Sequence, residues 1–207
     1  MINNKVLIIA EIGVNHNGRL DLAKKLMISA KKSGADFVKF QSFNVNELVK
    51  KNAALASYQR TNLKKNINQY QMLKKYEIGD DFHTSLVKFS KKINIKFLTS
   101  PFDLLSIKYL KKFNLSHYKV PSGEITNIPY LELIGSLNKT TFISTGMSNL
   151  LEIKKALKVL ISNGLSKDKI YVLHCHTDYP SRDEDLNLLS IRYLKDKLNV
   201  NIGYSDH

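Results

Sequence analysis

The sequence holds one cysteine, Cys175, among its 207 residues. A single thiol excludes an intrachain disulfide, and a chain without such bridges fits a reducing compartment, here the cytoplasm. Long hydrophobic runs are missing too. No stretch reaches the ~18 apolar residues that would mark a membrane span. The N-terminus passes from Met1-Ile2-Asn3-Asn4-Lys5 into a short apolar run that ends at Glu11. It lacks the longer apolar core and small-residue cleavage site of a secretion signal. Acidic residues are scarce: 18 Asp and Glu stand against 32 Lys and Arg, a net charge of +14. The excess is spread out. Lysine pairs at 24–25, 31–32, 91–92 and 154–155 fall inside predicted helices, opposite their apolar stripes. They do not interleave with aromatics in one block, so a nucleic-acid platform is disfavoured. The field they create still attracts small anions.

What is present is an alternation. Hydrophobic residues make up 43% of the chain, enough for one sizeable domain with its own core. Val6–Ala10 reads as a buried strand closed by Glu11-Ile12-Gly13, and Val14–Gly18 as a loop. Ala23, Leu26, Met27 and Ala30 have helical spacing, with a stop at Ser33-Gly34. Phe37–Phe43 is a second strand. Residues 44–81 form a long polar excursion carrying Tyr58, Gln59 and Asn62, with a short helix predicted around 68–76. An insertion of that length suggests a functional loop or lid. Strands at 95–100, 117–120, 141–146, 170–174 and 201–207 follow. The helices between them are marked by Phe82/Leu86/Phe89/Ile93, Leu104/Ile107/Leu110, Pro129–Leu137, Leu150/Ile153/Leu157/Leu160 and Leu188/Ile191/Leu194/Leu198.

Seven strands separated by helices mean a parallel sheet with covering helices. An open doubly wound sheet usually carries G-x-G-x-x-G after its first strand, and this chain has Glu11-Ile12-Gly13-Val14-Asn15-His16 there. A (β/α)8 barrel collects chemistry at the carboxyl ends of many strands. Each predicted strand here ends in reactive polar residues, which favours the barrel. A whole barrel needs about 250 residues. The expectation is therefore a (β/α)8 TIM barrel truncated after about the seventh strand, filling residues 1–207.

The strand ends suggest a chemistry. The stretch Tyr118-Lys119-Val120-Pro121-Ser122-Gly123-Glu124 sets a cation, a hydroxyl, a glycine and a carboxylate at one edge. Lys39 and Lys119 with scattered Ser and Thr hydroxyls suit a phosphorylated or dianionic ligand, and both lysines are expected at one mouth with Ser122 and Ser144. Glu11, Glu124 and Asp206, with His207, suit proton transfer or a divalent metal. His174 and His176, two apart on a strand, share a face and suggest a metal pair of a barrel hydrolase. Cys175 is expected to point the other way, toward the helices. A non-catalytic anion-binding module is a third reading.

The motifs also carry a resemblance. Ile9–Gly18, Gly34–Phe43, Ser100-Pro101-Phe102-Asp103, Lys119–Asn127, Ser144-Thr145-Gly146-Met147, His174-Cys175 with Tyr179-Pro180, Glu184–Leu188 and Gly203–His207 occur in order and at compatible spacing. In these the chain resembles the N-acetylneuraminate (sialic acid) synthase family, with its legionaminate and pseudaminate relatives. The resemblance implies a transferase that condenses phosphoenolpyruvate with the open-chain aldehyde of an N-acetylated hexosamine such as N-acetylmannosamine. C3 of the enol attacks the aldehyde carbon, water adds at C2, and phosphate leaves by C–O cleavage. A divalent metal, Mn²⁺ or Mg²⁺, polarises the aldehyde. By the same resemblance Lys39, Ser100, Lys119, Ser122, Ser144 and Ser205 hold phosphoenolpyruvate. Gln41, Glu124 and Tyr179 hold the sugar, with Asp206 beside the substrates. Glu11, Glu124 and Lys119 carry the catalysis, and His207 is a metal ligand.

The sequence departs from the family pattern at Thr99-Ser100, where Ser-Thr is usual, at His176, where Thr is usual, at Asp178 and at Ser181-Arg182-Asp183. The resemblance further implies a homodimer, with an eighth strand, a second metal histidine and an antifreeze-like domain all lying past residue 207. On that reading the 207 residues alone are inactive. The sequence does not separate N-acetylmannosamine from a diacetamido sugar as acceptor.

Overall fold

The computed structural model describes residues 6–55 and 67–207. Tyr58, Gln59 and Asn62 lie outside the described residues. The chain divides into two compact units, 1–99 and 100–207. Among the described residues the strands form two parallel sheets, ordered β1-β2-β3 and β4-β5-β6-β7. The alternation read from the sequence is present. Among the described residues a single closed ring of strands is not seen.

The first unit contains β1 (Ile9–Gly13), α1 (Leu20–Lys32), β2 (Phe37–Ser42), α2 (Val45–Leu48), α3 (Gln69–Lys74), α4 (Asp80–Lys92) and most of β3 (Lys96–Pro101). The first strand starts later than its apolar run suggests: Val6 is 73% and Ile8 52% exposed. Ile8 is nevertheless fastened by hydrogen bonds, its N–H to the Asp36 carboxylate and its carbonyl to the amides of Asp36 and Phe37. Helix α1 buries Ala23, Met27 and Ala30 on one stripe. Asp21 in its first turn and Lys31 and Lys32 in its last complement the helix dipole. It packs against α4, whose ends carry Asp80 and Asp81, then Lys91 and Lys92, in the same sense. The buried stripe of α4 is His83, Leu86, Val87 and Ser90, so Phe82 and Phe89 are only half-buried. The excursion contains α2, which the sequence did not announce, and α3, closed by a capping box between Asn68 and Gln71.

On the helix side of this sheet lies a buried polar cluster. Ser42 Oγ is 2.8 Å from His83 Nε2 and 2.7 Å from Thr99 Oγ1, and Thr99 also donates to the Phe40 carbonyl. Thr99 therefore serves the fold. Ser100, next in β3 and buried, alternates to the opposite face.

The second unit runs α5 (Leu104–Leu110), β4 (His117–Val120), α6 (Ile128–Ser136), β5 (Thr140–Ser144), α7 (Leu150–Ser162), β6 (Ile170–Cys175), α8 (Leu189–Lys197) and β7 (Asn201–Ser205). Short polar side chains start its helices: Asp103 accepts from the Ser106 amide, Asn127 from Tyr130, and Asn149 forms a capping box with Glu152. The fully buried Tyr130 donates its hydroxyl to the Pro101 carbonyl at 2.7 Å. Helices α6 and α7 meet closely at Gly135, where a Cβ would stand 2.7 Å from the Leu160 carbonyl oxygen. Helix α8 is less embedded than its pattern suggests: Leu194 is buried, while Leu188 and Leu189 are exposed.

Register decides which side chains share a face. Lys119 pairs with Phe142, Phe142 with Tyr171, and Tyr171 with Asn201; Ser144 pairs with Leu173, Leu173 with Gly203, and Cys175 with Ser205. In-register neighbours point the same way, so His117, Lys119, Phe142, Ser144, Tyr171, Cys175 and Ser205 line one face. Ring contacts agree: His117 and Phe142 lie 6.1 Å apart, Phe142 and Tyr171 5.0 Å. The alternate row, Val120, Ile143 and Val172, is fully buried on the other face.

Candidate active site

In the first unit the site residues are set by an irregularity. Glu11 pairs with Lys39, but the next partner of Phe40 is Gly13, so Ile12 is an extra residue and the strand bulges. Gly13 has φ +53°, a conformation that favours glycine. A Cβ there would come within 3.0 Å of Glu11 Oε1 and 3.6 Å of Gln41 Nε2. The bulge thus opens the space in which the two side chains sit. The Glu11 carboxylate forms an ion pair with the Lys39 ammonium; Lys39 is largely buried, and Glu11 is about half exposed at 51%.

In the second unit Lys119 is 6% exposed and its ammonium donates to Ser144 Oγ. Ser122 opens a short 3₁₀ turn, Ser122–Glu124, directly after β4. Its Oγ accepts the Gly146 N–H at 3.0 Å and lies 3.3 Å from Cys175 Sγ. Thr145 is committed to structure, donating N–H and O–H to the Leu173 carbonyl. Glu124 accepts from the Asn127 side chain at 2.7 Å, which ties its carboxylate to the start of α6. At the end of β7, the His207 ring stacks on Tyr179 at 4.2 Å, and its Nε2 lies 3.2 Å from Tyr179 Oη and 3.4 Å from Ser205 Oγ. Asp206 is exposed and accepts from Tyr204 Oη at 3.0 Å.

Two expectations change. Cys175 does not point toward the helices. Strand alternation runs unbroken through β6, so Cys175 falls on the face of Lys119 and Ser144, beside Ser122. His174 takes the other face, stacks with Tyr204 at 6.0 Å and donates Nε2–H to the Leu186 carbonyl. His176 lies past the strand end, where its Nδ1 accepts from the Asp178 amide. The two histidines are thus engaged separately and do not form a metal pair. Among the described residues no three His, Cys, Asp or Glu side chains gather in a cluster that could hold a metal. His207 by itself is one imidazole facing two hydroxyls. Among the described residues at this strand end His207 could supply one nitrogen ligand to a divalent ion.

The sequence reading gave Gly146 no role and set Cys175 on the wrong face, where strand parity counted from Lys119 and Ser144 was the signal to follow. It also passed over His16. This fully buried imidazole lies 6.0 Å from Phe40 and 5.3 Å from Phe82. Its Nδ1 accepts the Gly18 N–H at 3.0 Å, while its Nε2 meets no partner among the described residues. Burial lowers its pKa below the ordinary value.

Parallel strands that end in a buried lysine, serines and carboxylates define an α/β protein with polar groups gathered at its strand ends. The profile of the NeuB family matches residues 26–207, and the chain belongs to that family. It is 49% identical over 203 residues to an N,N'-diacetyllegionaminic acid synthase of Campylobacter jejuni, covering 98% of this chain and 61% of that protein. A protein of the same description from Legionella pneumophila is 43% identical, covering 97% and 57%. The chain therefore spans about three fifths of the length of these relatives. Among solved structures, an N-acetylneuraminic acid synthetase from Leptospira borgpetersenii, crystallised with citrate, superposes with a TM-score of 0.84 at 32% identity, covering 99% of this chain and 66% of that one.

Proposed function

We propose that the chain is the catalytic barrel portion of a nonulosonic acid synthase. The enzyme joins phosphoenolpyruvate to the aldehyde of an N-acetylated amino sugar, takes up water and releases phosphate. The observation that carries this reading is the second unit's strand ends, where a buried ammonium, Lys119, is held by Ser144 and the hydroxyl of Ser122 is held by the Gly146 N–H. A cation with fixed hydroxyl donors is the equipment for a phosphate or carboxylate group. Ser100 and Ser205 are assigned to the same substrate. In the first unit the Glu11–Lys39 ion pair puts a carboxylate beside a cation. Lys39 contacts the anion and Glu11 moves a proton at the reacting carbons. Gln41, Glu124, Tyr179 and Asp206 are assigned to the sugar.

The acceptor is best read as a diacetamido sugar, because the two legionaminic acid synthases are 49% and 43% identical, against 33% for a human N-acetylneuraminate-9-phosphate synthase. N-acetylmannosamine is the second reading, supported by the Leptospira structure. The whole protein is proposed to be a (β/α)8 barrel enzyme acting as a cytoplasmic homodimer. Among the described residues no helix is long and apolar enough to cross a membrane. Dependence on Mn²⁺ or Mg²⁺, with His207 as one ligand, belongs to the same proposal.

The test is to supply the whole protein with phosphoenolpyruvate, Mn²⁺ and each sugar in turn. Phosphate and sugar acid are expected in equal amounts, faster with the diacetamido acceptor. Equal rates on both sugars contradict the acceptor assignment, and no sugar acid from either contradicts the reaction.

A further inference from the structure

The hydroxyl of Ser122 is enclosed more closely than binding alone requires. Gly146 donates its N–H to Ser122 Oγ at 3.0 Å, and Cys175 Sγ stands 3.3 Å from the same oxygen. Gly146 leaves no room for a side chain. A Cβ there would lie 2.5 Å from Thr177 Cγ2, 3.0 Å from Ser122 Oγ and 3.2 Å from Cys175 Sγ. The amide, the hydroxyl and the thiol thus form one compact group. Cys175 is buried on the same face as Lys119 and Ser144.

A serine hydroxyl has one hydrogen and two acceptor lone pairs, and a thiol is a weak donor and weak acceptor. The Gly146 amide occupies one lone pair of Ser122. Two arrangements remain. If the serine O–H points at sulfur, the thiol hydrogen lacks an acceptor and the serine has nothing to donate. If the thiol S–H points at oxygen, both lone pairs are filled and the serine O–H is left for a further acceptor. With an anion bound, the second arrangement makes one more hydrogen bond, and that bond is charge-assisted. We propose that Cys175 is a positioning residue: its thiol donates to Ser122 Oγ and turns the serine into a dedicated hydrogen-bond donor toward an anionic oxygen of phosphoenolpyruvate. The inference rests on the reading of Ser122 as a phosphoenolpyruvate contact. It assigns a role to a side chain that makes no substrate contact of its own.

The test uses the whole protein with phosphoenolpyruvate, its sugar acceptor and Mn²⁺. Cys175→Ala removes the donor. Its KM for phosphoenolpyruvate is expected to rise roughly fivefold, with kcat within about twofold of wild type. Cys175→Ser keeps a donor at this position and is expected to restore KM. Infrared spectroscopy supplies a readout that packing does not move. The Cys175 S–H stretching band, assigned by its loss in Cys175→Ser, should shift to lower frequency when phosphoenolpyruvate is added.

An unmoved band, or Cys175→Ser as impaired in KM as Cys175→Ala, overturns the positioning role. Lys119→Ala run in parallel separates the two levels. If it raises KM while Cys175→Ala does not, the thiol assignment alone fails. If Lys119→Ala leaves KM unchanged, the phosphate site itself is misread and the inference falls with it.

Discussion

Lys119 is the residue on which the substrate reading turns. Its ammonium is buried and held by Ser144, so an anion that enters there meets a cation already oriented and shielded from water. A hydrogen bond to a charged group contributes about 1.5–3 kcal/mol. Lys119→Ala is therefore expected to raise KM for phosphoenolpyruvate at least tenfold, leaving KM for the sugar within a few-fold. Steady-state kinetics with each substrate varied checks this, and unchanged phosphoenolpyruvate kinetics contradict it. His16 shows the opposite use of a titratable group, since it is buried for structure. Its folded pKa is depressed by burial, so below about pH 6.5 the unfolded chain binds the extra proton more readily. Its contribution to stability is complete above that unfolded value and is lost as the pH falls through the folded one. Wild type should lose more melting temperature between pH 7.5 and pH 5.5 than His16→Asn, which keeps an acceptor for the Gly18 amide. Equal losses contradict the assignment.

At the level of elements, two close approaches carry structure. The β1 bulge depends on Gly13, and the contact of α6 with α7 depends on Gly135. A methyl at Gly135 would meet the Leu160 carbonyl at 2.7 Å and Asn163 Cβ at 2.9 Å, both on or beside a helix that is itself packed. Gly135→Ala is expected to destabilise by about 1–3 kcal/mol, read by chemical denaturation. A change under about 0.5 kcal/mol would show that the helices part freely. Most elements were legible from apolar spacing: of the announced positions α1 buries Ala23, Met27 and Ala30, and α7 buries Ile153, Leu157 and Leu160. The start of β1 was not, since Val6–Ile8 are apolar yet lie before the first paired residue. Nor was α8, whose leucines are partly left exposed. In the site, Lys119, Ser122 and Ser144 were readable as strand-end residues. The orientation of Cys175 was misjudged because the His-x-His spacing drew attention to the wrong face. Parity is relative, and only the register with Lys119 and Ser144 shows which alternate row faces the site.

For the molecule as a whole, the composition and the fold point the same way. A net charge of +14 without an aromatic-lined basic block favours small anions, and each unit places a lysine at its strand ends. Membership in the NeuB family is what the proposed condensation rests on. The central claim is that phosphate leaves phosphoenolpyruvate by cleavage of the C–O bond while a new C–C bond forms to the sugar. The measurement that tests it most directly uses phosphoenolpyruvate labelled with ¹⁸O at the oxygen bridging carbon and phosphorus, with the whole protein and a diacetamido acceptor. Mass spectrometry of the products follows. The account predicts that the label appears in the released phosphate and that sugar acid forms in equal amount. Unlabelled phosphate, with ¹⁸O retained on the organic product, would mean P–O cleavage and would contradict the account.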